Sequence, residues 1–423
     1  MDNRPGGLDF SQPEESMAIA NILWTSCSSS MTTCALTLHQ TARSLTVVRQ
    51  SPITLPLAKV INATGATNII SNDRARIKAL REGPPFEVSS TRVDYGYVTS
   101  VGFGTPPTYY DLIVDTGSSV TWTGANPDKP YVITPSSVDT GFTAVLLYGS
   151  GFAIGEQYND TVTLGPIAIH NQGIVAANNG TGFAGFDGVL GLGPVDLTSG
   201  TTTSGEEIPT VEDNAFQQGL IPARVIAVSF EPTDTAPVTN GEITFGSIDT
   251  AKFIPPITYV PLTTTSPASL YWGIDQSVTY RGETILIETA GIVDTGTTFL
   301  YLASDAYSRY QNVTAATVEE STGLLYVSKD QYGRLADLVF NIGGTKFALT
   351  PNAQIWPRAL NSALQGADPN KIYLAVGDLG LPTGTGFDFV DGMVFLERFY
   401  SVFDTGHNRV GLANTVFTKA VVN

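Results

Sequence analysis

Two stretches of this 423-residue chain carry nearly the same phrase, LIVDTGSSVTW at 112–122 and GIVDTGTTFLY at 291–301. In each, a β-branched apolar run feeds Asp-Thr-Gly, and two hydroxyl residues follow. Asp294 comes 179 residues after Asp115, about one domain length. Such spacing reads as a duplication. Two homologous lobes facing each other would bring Asp115 and Asp294 together. Asp-Thr-Gly also occurs at Asp139 and Asp404, but there Phe142 and His407 follow the glycine and the hydroxyl is missing. Both are read as structural turns.

The rest of the sequence supports a β fold. From about residue 90, runs such as YGYVTSVGF, TVTLGPIAI, VIAVSF, GEITFG and LYWGIDQSVTY alternate or cluster apolar residues between Gly and Pro. Helical patterns are few, at 210–220 and 304–313. Before residue 90, ITLPLAKVI (53–61) reads as a strand. NDRARIKALRE (72–82) reads as a helix with Asn72 or Asp73 as its cap, and GPPF at 83–86 as a linker. The expected fold class is all-β and bilobal, with a few short helices.

Charge narrows the function. The formal net charge is −17 and falls almost wholly on residues 91–423, with 14 basic and 32 acidic side chains. A polyanionic surface excludes phosphate-backbone binding, which needs Lys and Arg. It suits solubility, or work in acid, where carboxylates lose their charge. No nucleic acid and no membrane partner is expected, and no apolar run reaches a membrane span. Both cysteines, Cys27 and Cys34, lie in the first 50 residues, and the three histidines are scattered. No metal and no cofactor is expected. Residues 17–38 make a poor signal peptide, so residues 1–51 are read as a misassigned start or a degenerate signal region.

The twin phrase has a chemical use. At the tip of a rigid loop, the glycine admits a ligand or a second backbone, and its N–H together with the next hydroxyl can bind the aspartate. Two such tips in contact hold two carboxyls that cannot both ionise, so they share a proton. One is then a base toward water and the other an acid toward a carbonyl oxygen. That pairing hydrolyses an amide without a covalent intermediate. Paired carboxyls also cut glycosidic bonds, but that chemistry does not need twin Asp-Thr-Gly loops.

With these residues in hand, the chain resembles the pepsin-like aspartic proteases over about 52–423, and within them the cysteine-poor secreted fungal enzymes. The resemblance implies Asp115 and Asp294 as catalytic residues. It implies Gly117, Ser118, Tyr148, Gly149, Ser150, Gly296, Thr297 and Thr298 as groups that bind the substrate or the carboxylates. Thr116, Thr295 and Trp122 become supporting residues, the last holding the flap tyrosine. YGSGFAIGEQYNDTVTLG (148–165) resembles the flap hairpin, and FDGVLGLG (186–193) the glycine motif under the first loop. Val390-Asp391-Gly392-Met393 departs from the family's usual second-lobe pattern.

The implied organisation is a propeptide at 52–87, an N-terminal lobe with the flap at 88–255 and a C-terminal lobe at 256–423. The mature protein would begin around 83–92. The propeptide acts as an intramolecular inhibitor, with Lys59 paired to the mature domain and Lys78 assigned between the aspartates. The implied activity is that of a secreted, monomeric, acid-activated endopeptidase on polypeptides, cleaving between hydrophobic residues. An inactive binding relative is the alternative, but both loops are intact.

Overall fold

A computed structural model describes residues 52–61, 69–82, 95–149 and 151–422, all within one unit. The readings for residues 1–51, the linker at 83–86 and the start of the mature chain lie outside the described residues. So does Ser150.

The first half builds β2 (Tyr95–Phe103), β3 (Thr108–Asp115), β4 (Trp122–Thr123), β5 (Val138–Tyr148), β6 (Gly151–Leu164), β7 (Ile167–Thr181) and β8 (Gly188–Gly191). β5, β6 and β7 form an antiparallel meander, and β3 runs parallel to β8, with Asp115 opposite Gly191. The second half repeats the central device. β12 (Gly273–Tyr280) pairs antiparallel with β13 (Glu283–Val293). β13 runs parallel to strand Phe389–Asp391, with Val293 opposite Asp391. That strand also pairs with β14 (Leu300–Leu302). In both halves a buried Ile-Val pair ends the strand that delivers the aspartate. The duplication read from the two phrases is therefore a duplication of strand connection.

The halves share one thirteen-stranded sheet. Strand Phe399–Asp404 of the second half pairs with β9 (Val225–Ser229) of the first, and β9 with β10 (Val238–Phe245). β1 (Ile53–Ile61) lies between β10 and β2. Its alternation places Ile53, Leu55 and Leu57 in the core.

The helices are short. α1 (Ile69–Glu82) starts earlier than the sequence suggests because Ile69 and Ile70 are buried and extend it by a turn. Asn72 and Asp73 therefore lie inside the helix and are not its cap. α2 (Val211–Gln217) starts at Thr210, which forms a capping box with Asp213. α3 (Ser304–Thr314) matches its predicted pattern.

The two spare Asp-Thr-Gly copies are structural. Asp404 ends a strand at a hairpin and holds Arg409 at 2.7 Å and the His407 N–H at 3.1 Å. Asp139 lies within β5 rather than in a free turn. It accepts the Gly141 N–H at 2.8 Å, where the β5–β6 register slips.

Candidate active site

Both loops leave the ends of parallel-paired strands and meet. Thr116 N–H donates to Thr295 Oγ1 at 2.9 Å, and Thr295 N–H donates to Thr116 Oγ1 at 3.0 Å. The two hydroxyls then donate onward, Thr116 to Val293 O at 3.2 Å and Thr295 to Val114 O at 2.9 Å. Each loop therefore completes the backbone bonding of the other, and neither can tilt alone.

Within each loop the aspartate is held in the same way. Asp115 accepts Gly117 N–H at 3.0 Å and Ser118 Oγ–H at 2.6 Å. Asp294 accepts Gly296 N–H at 2.9 Å and Thr297 Oγ1–H at 2.6 Å. Thr297 is wholly buried and spends its hydroxyl on Asp294. A Cβ at Gly117 would lie 2.8 Å from Asp294 Oδ1, so the facing carboxylate requires glycine there.

Arg76 of α1 occupies the space between the aspartates. Its Nη2 reaches Asp115 Oδ1 at 2.5 Å and Asp294 Oδ1 at 3.1 Å, and its Nε reaches Asp294 Oδ2 at 2.9 Å. Burial is the largest influence on both carboxyls. At Asp294 the guanidinium, Thr297 and the Gly296 N–H outweigh it and hold the group below its ordinary range. At Asp115 burial prevails and the group is raised. The assignment of Lys78 is corrected. On a 3.6-residue helix, the face that carries Asp73 into the cleft also carries Arg76, while Lys78 turns to solvent.

Two further contacts seat the 53–82 segment. Asp73 accepts the N–H groups of Thr298 and Phe299, each at 3.1 Å, and burial raises its carboxyl to about 7. Lys59 is fully buried and reaches Glu397 Oε1 at 2.6 Å, as the pairing of Lys59 predicts. Tyr97 donates to the same oxygen at 3.1 Å. Sequence reasoning did not single out Arg76 or Glu397, and it read Asp73 only as a helix cap. The i, i+3 spacing of Asp73 and Arg76 on an amphipathic helix was the available signal for two of them.

The hairpin of β5 and β6 covers the site. Trp122 Nε1–H donates to Tyr148 Oη at 2.7 Å, and Phe183 packs edge-on against both rings. Gly149 abuts the Ala75 carbonyl of α1, leaving no room for a side chain. The structure thus gathers Asp115, Thr116, Gly117, Ser118, Trp122, Tyr148, Gly149, Asp294, Thr295, Gly296, Thr297 and Thr298 around α1. Asp391 lies beneath the second loop, with its carbonyl accepting the Asp294 N–H at 3.1 Å. Among the described residues no His, Cys, Asp and Glu cluster could hold a metal, and no helix is long and apolar enough to cross a membrane.

Two cross-braced Asp-Thr-Gly loops under a hairpin lid define the class. The eukaryotic aspartyl protease family model matches residues 96–415, and the chain belongs to that family. It is an aspartic-type endopeptidase of the pepsin group, which removes the glycosidase reading. The chain is 53% identical to polyporopepsin of Irpex lacteus over 339 residues, covering 79% of this chain and 99% of that protein. It is 30% identical to pepsin A of Sus scrofa over 344 residues, covering 76% and 82% of the two chains. The crystal structure of the aspartic proteinase from Irpex lacteus superposes with a TM-score of 0.77 at 48% identity, covering 88% of this chain and all of that one.

Proposed function

We propose that Asp115 and Asp294 are the catalytic pair of a secreted endopeptidase made as an acid-activated zymogen. The observation that carries this reading is the single guanidinium bonded to both carboxylates. Arg76 Nη2 reaches one oxygen of each carboxylate, at 2.5 and 3.1 Å, so a water in the place of that nitrogen would bond both groups and let them share one proton once Arg76 has gone.

With Arg76 removed, a water between the carboxyls loses a proton to the ionised one as it attacks the scissile carbonyl. The protonated carboxyl donates to the carbonyl oxygen, and the proton then passes to the leaving nitrogen. Thr116 and Thr295 fix the loop geometry. Ser118, Thr297 and the Gly117 and Gly296 N–H groups orient the carboxylates. Gly117, Ser118, Gly296 and Thr298 face the substrate backbone. Tyr148 and Gly149 close over it, and Trp122 steadies Tyr148.

Specificity for hydrophobic residues is supported by Ile113, Phe183 and Val189 beside Asp115. On the Ser118 side, a cavity of about 430 Å³ is lined in part by Val120, Leu146, Leu197 and Tyr271. Residues 52–87 form the propeptide, followed by lobes at 88–255 and 256–423. Secretion accords with the acidic surface and with exposed Asn179 and Asn312 in Asn-x-Thr sequons. The polypeptide substrate is cut by a monomer.

The test is peptide cleavage at pH 3–5 by the acid-treated full chain. Asp115→Asn and Asp294→Asn should each lose at least about a thousandfold in kcat with KM little changed. Activity retained in either variant would remove the pair.

A further inference from the structure

Asp391 and Gln276 are wholly buried beneath the second loop. Gln276 Nε2–H donates to Asp391 Oδ1 at 3.1 Å. The other oxygen of each side chain, Asp391 Oδ2 and Gln276 Oε1, has no hydrogen-bond partner among the described residues. If Asp391 were ionised, both would be acceptors, and two buried acceptors would stand unsatisfied at a cost of about 1–3 kcal/mol each. One proton on Asp391 Oδ2 removes both deficits. A carboxylic acid and a primary amide present matched donor–acceptor forks, so Oδ2–H can donate to Oε1 while Nε2–H donates to Oδ1.

The surroundings offer no competing charge. β13 contributes Ile292 and Val293 beside strand Phe389–Asp391, and β14 contributes Leu300 opposite Asp391. The short helix Met393–Leu396 that follows is apolar. The ionisable groups on these elements are engaged elsewhere or, like Glu283 and Glu288 of β13, exposed. Asp294 faces Arg76. Asp388 accepts from Thr289 and Thr385. Tyr301 lies near Asp73. Asp275, next to Gln276 on β12, accepts from Thr263. Burial is the main influence on Asp391 and raises its carboxyl to about 8.

We infer that Asp391 is a carboxylic acid joined to Gln276 by two hydrogen bonds, and that this neutral pair is a positioning element for the loop carrying Asp294. It works through the backbone, because the Asp391 carbonyl receives the Asp294 N–H. It also ties strand Phe389–Asp391 to β12, two strands away across β13. The inference rests on the catalytic reading of Asp294 for its effect on rate, but the protonated pair can be tested without turnover.

The experiment uses the full chain with Asp391→Asn and Asp391→Leu. Asparagine reproduces the two hydrogen bonds to Gln276 without a titrating proton, whereas leucine leaves the Gln276 amide unpaired. The infrared band of a protonated carboxylic acid at pH 6 should weaken in Asp391→Asn against wild type and stay unchanged in Asp294→Asn. The midpoint of alkaline unfolding, followed by circular dichroism, should rise by about one pH unit in Asp391→Asn. In acid, Asp391→Leu should lower kcat about tenfold with KM unchanged, and Asp391→Asn should restore most of that loss. No loss of the infrared band, or an asparagine variant as impaired as the leucine one, overturns the inference. If Asp391→Leu does not fold, the infrared and alkaline arms still decide. A wild type without peptidase activity whose infrared band is lost in Asp391→Asn would support the pair while removing the catalytic reading.

Discussion

Arg76→Ala in the full chain tests the latch most directly. The wild-type guanidinium makes three charge-assisted bonds, at 2.5, 2.9 and 3.1 Å, to two buried carboxylates. Removing one partner of a buried, bonded ion pair costs about 3–5 kcal/mol. Some of that returns here, because the two freed carboxyls relax by sharing a proton. A net loss of about 3–4 kcal/mol shifts the balance between seated and displaced α1 by about 10²–10³.

The sign of the pH dependence follows from the directions of the shifts. Asp294 is held below 3.8, so its bond to Arg76 is fully present above that value and weakens as pH falls below it. Asp73, raised to about 7, has the opposite sign and seats the segment better in acid, whereas Arg76 pulls the Asp115 carboxyl down against burial, so protonating Asp115 also weakens the seat. Both cleft carboxyls therefore favour acid release, and because Asp294 is held below 3.8 the wild type should need a pH below about 4 to unlatch. Arg76→Ala should cleave a fluorogenic hydrophobic peptide at pH 5–6 without prior acid treatment, at least about a hundredfold faster than untreated wild type. Latency equal to wild type at pH 5–6, with the same acid threshold, would refute the assignment of Arg76 as the latch.

Two further outcomes follow from the geometry. Thr295→Val keeps the shape of the side chain but leaves Thr116 N–H and Val114 O unpaired in the interior. It should cost about 2–4 kcal/mol in denaturant unfolding and lower kcat more than it raises KM, and a loss under about 0.5 kcal/mol would count against the cross-brace. Glu212, at the start of α2, is buried, accepts Thr405 Oγ1–H at 2.6 Å and is raised to about 8. A raised carboxyl contributes stability that is present below its unfolded value and lost as pH climbs to its folded value, so Glu212→Gln should flatten the fall in stability between about pH 4.5 and 8. The gain should be up to about 4 kcal/mol at the alkaline end, and urea unfolding at stepped pH would show none if the shift is absent.

Much of the site was legible because its chemistry lies in short contiguous phrases. Asp-Thr-Gly-Ser and Asp-Thr-Gly-Thr specify their own hydrogen bonds within three residues, so the carboxylate donors followed from the letters alone. The distinction between these loops and the copies at Asp139 and Asp404 also held, since the missing hydroxyl removes the second donor. Long-range partners were less legible. Choosing Arg76 over Lys78 needed the rotation of α1, which is set by Ile69, Ile70 and Ile77 entering the core. Asp73 looked like a cap because aspartate near a helix start usually is one. Its partners, Thr298 and Phe299, lie more than two hundred residues away and offer only backbone N–H groups, which no side-chain pattern announces. The Asp391–Gln276 pair was half visible. Asp391 broke an expected pattern, but nothing in the strand reading of β12 pointed to Gln276.

The position of β1 has a consequence for reversibility. It is an interior strand, bonded to β10 along Ile53–Lys59 and to β2 along Ala58–Ile61. A cut after Glu82 would therefore leave a nicked molecule with its first strand still annealed, because breaking one peptide bond frees none of those ladders. Departure would require opening the sheet on both sides of β1, between β10 and β2 of the first half, and the fragment would then dilute away. Re-forming that central pairing from separate chains becomes a bimolecular event, so concentration, rather than sequence, would decide whether an unfolded mature chain could find its way back.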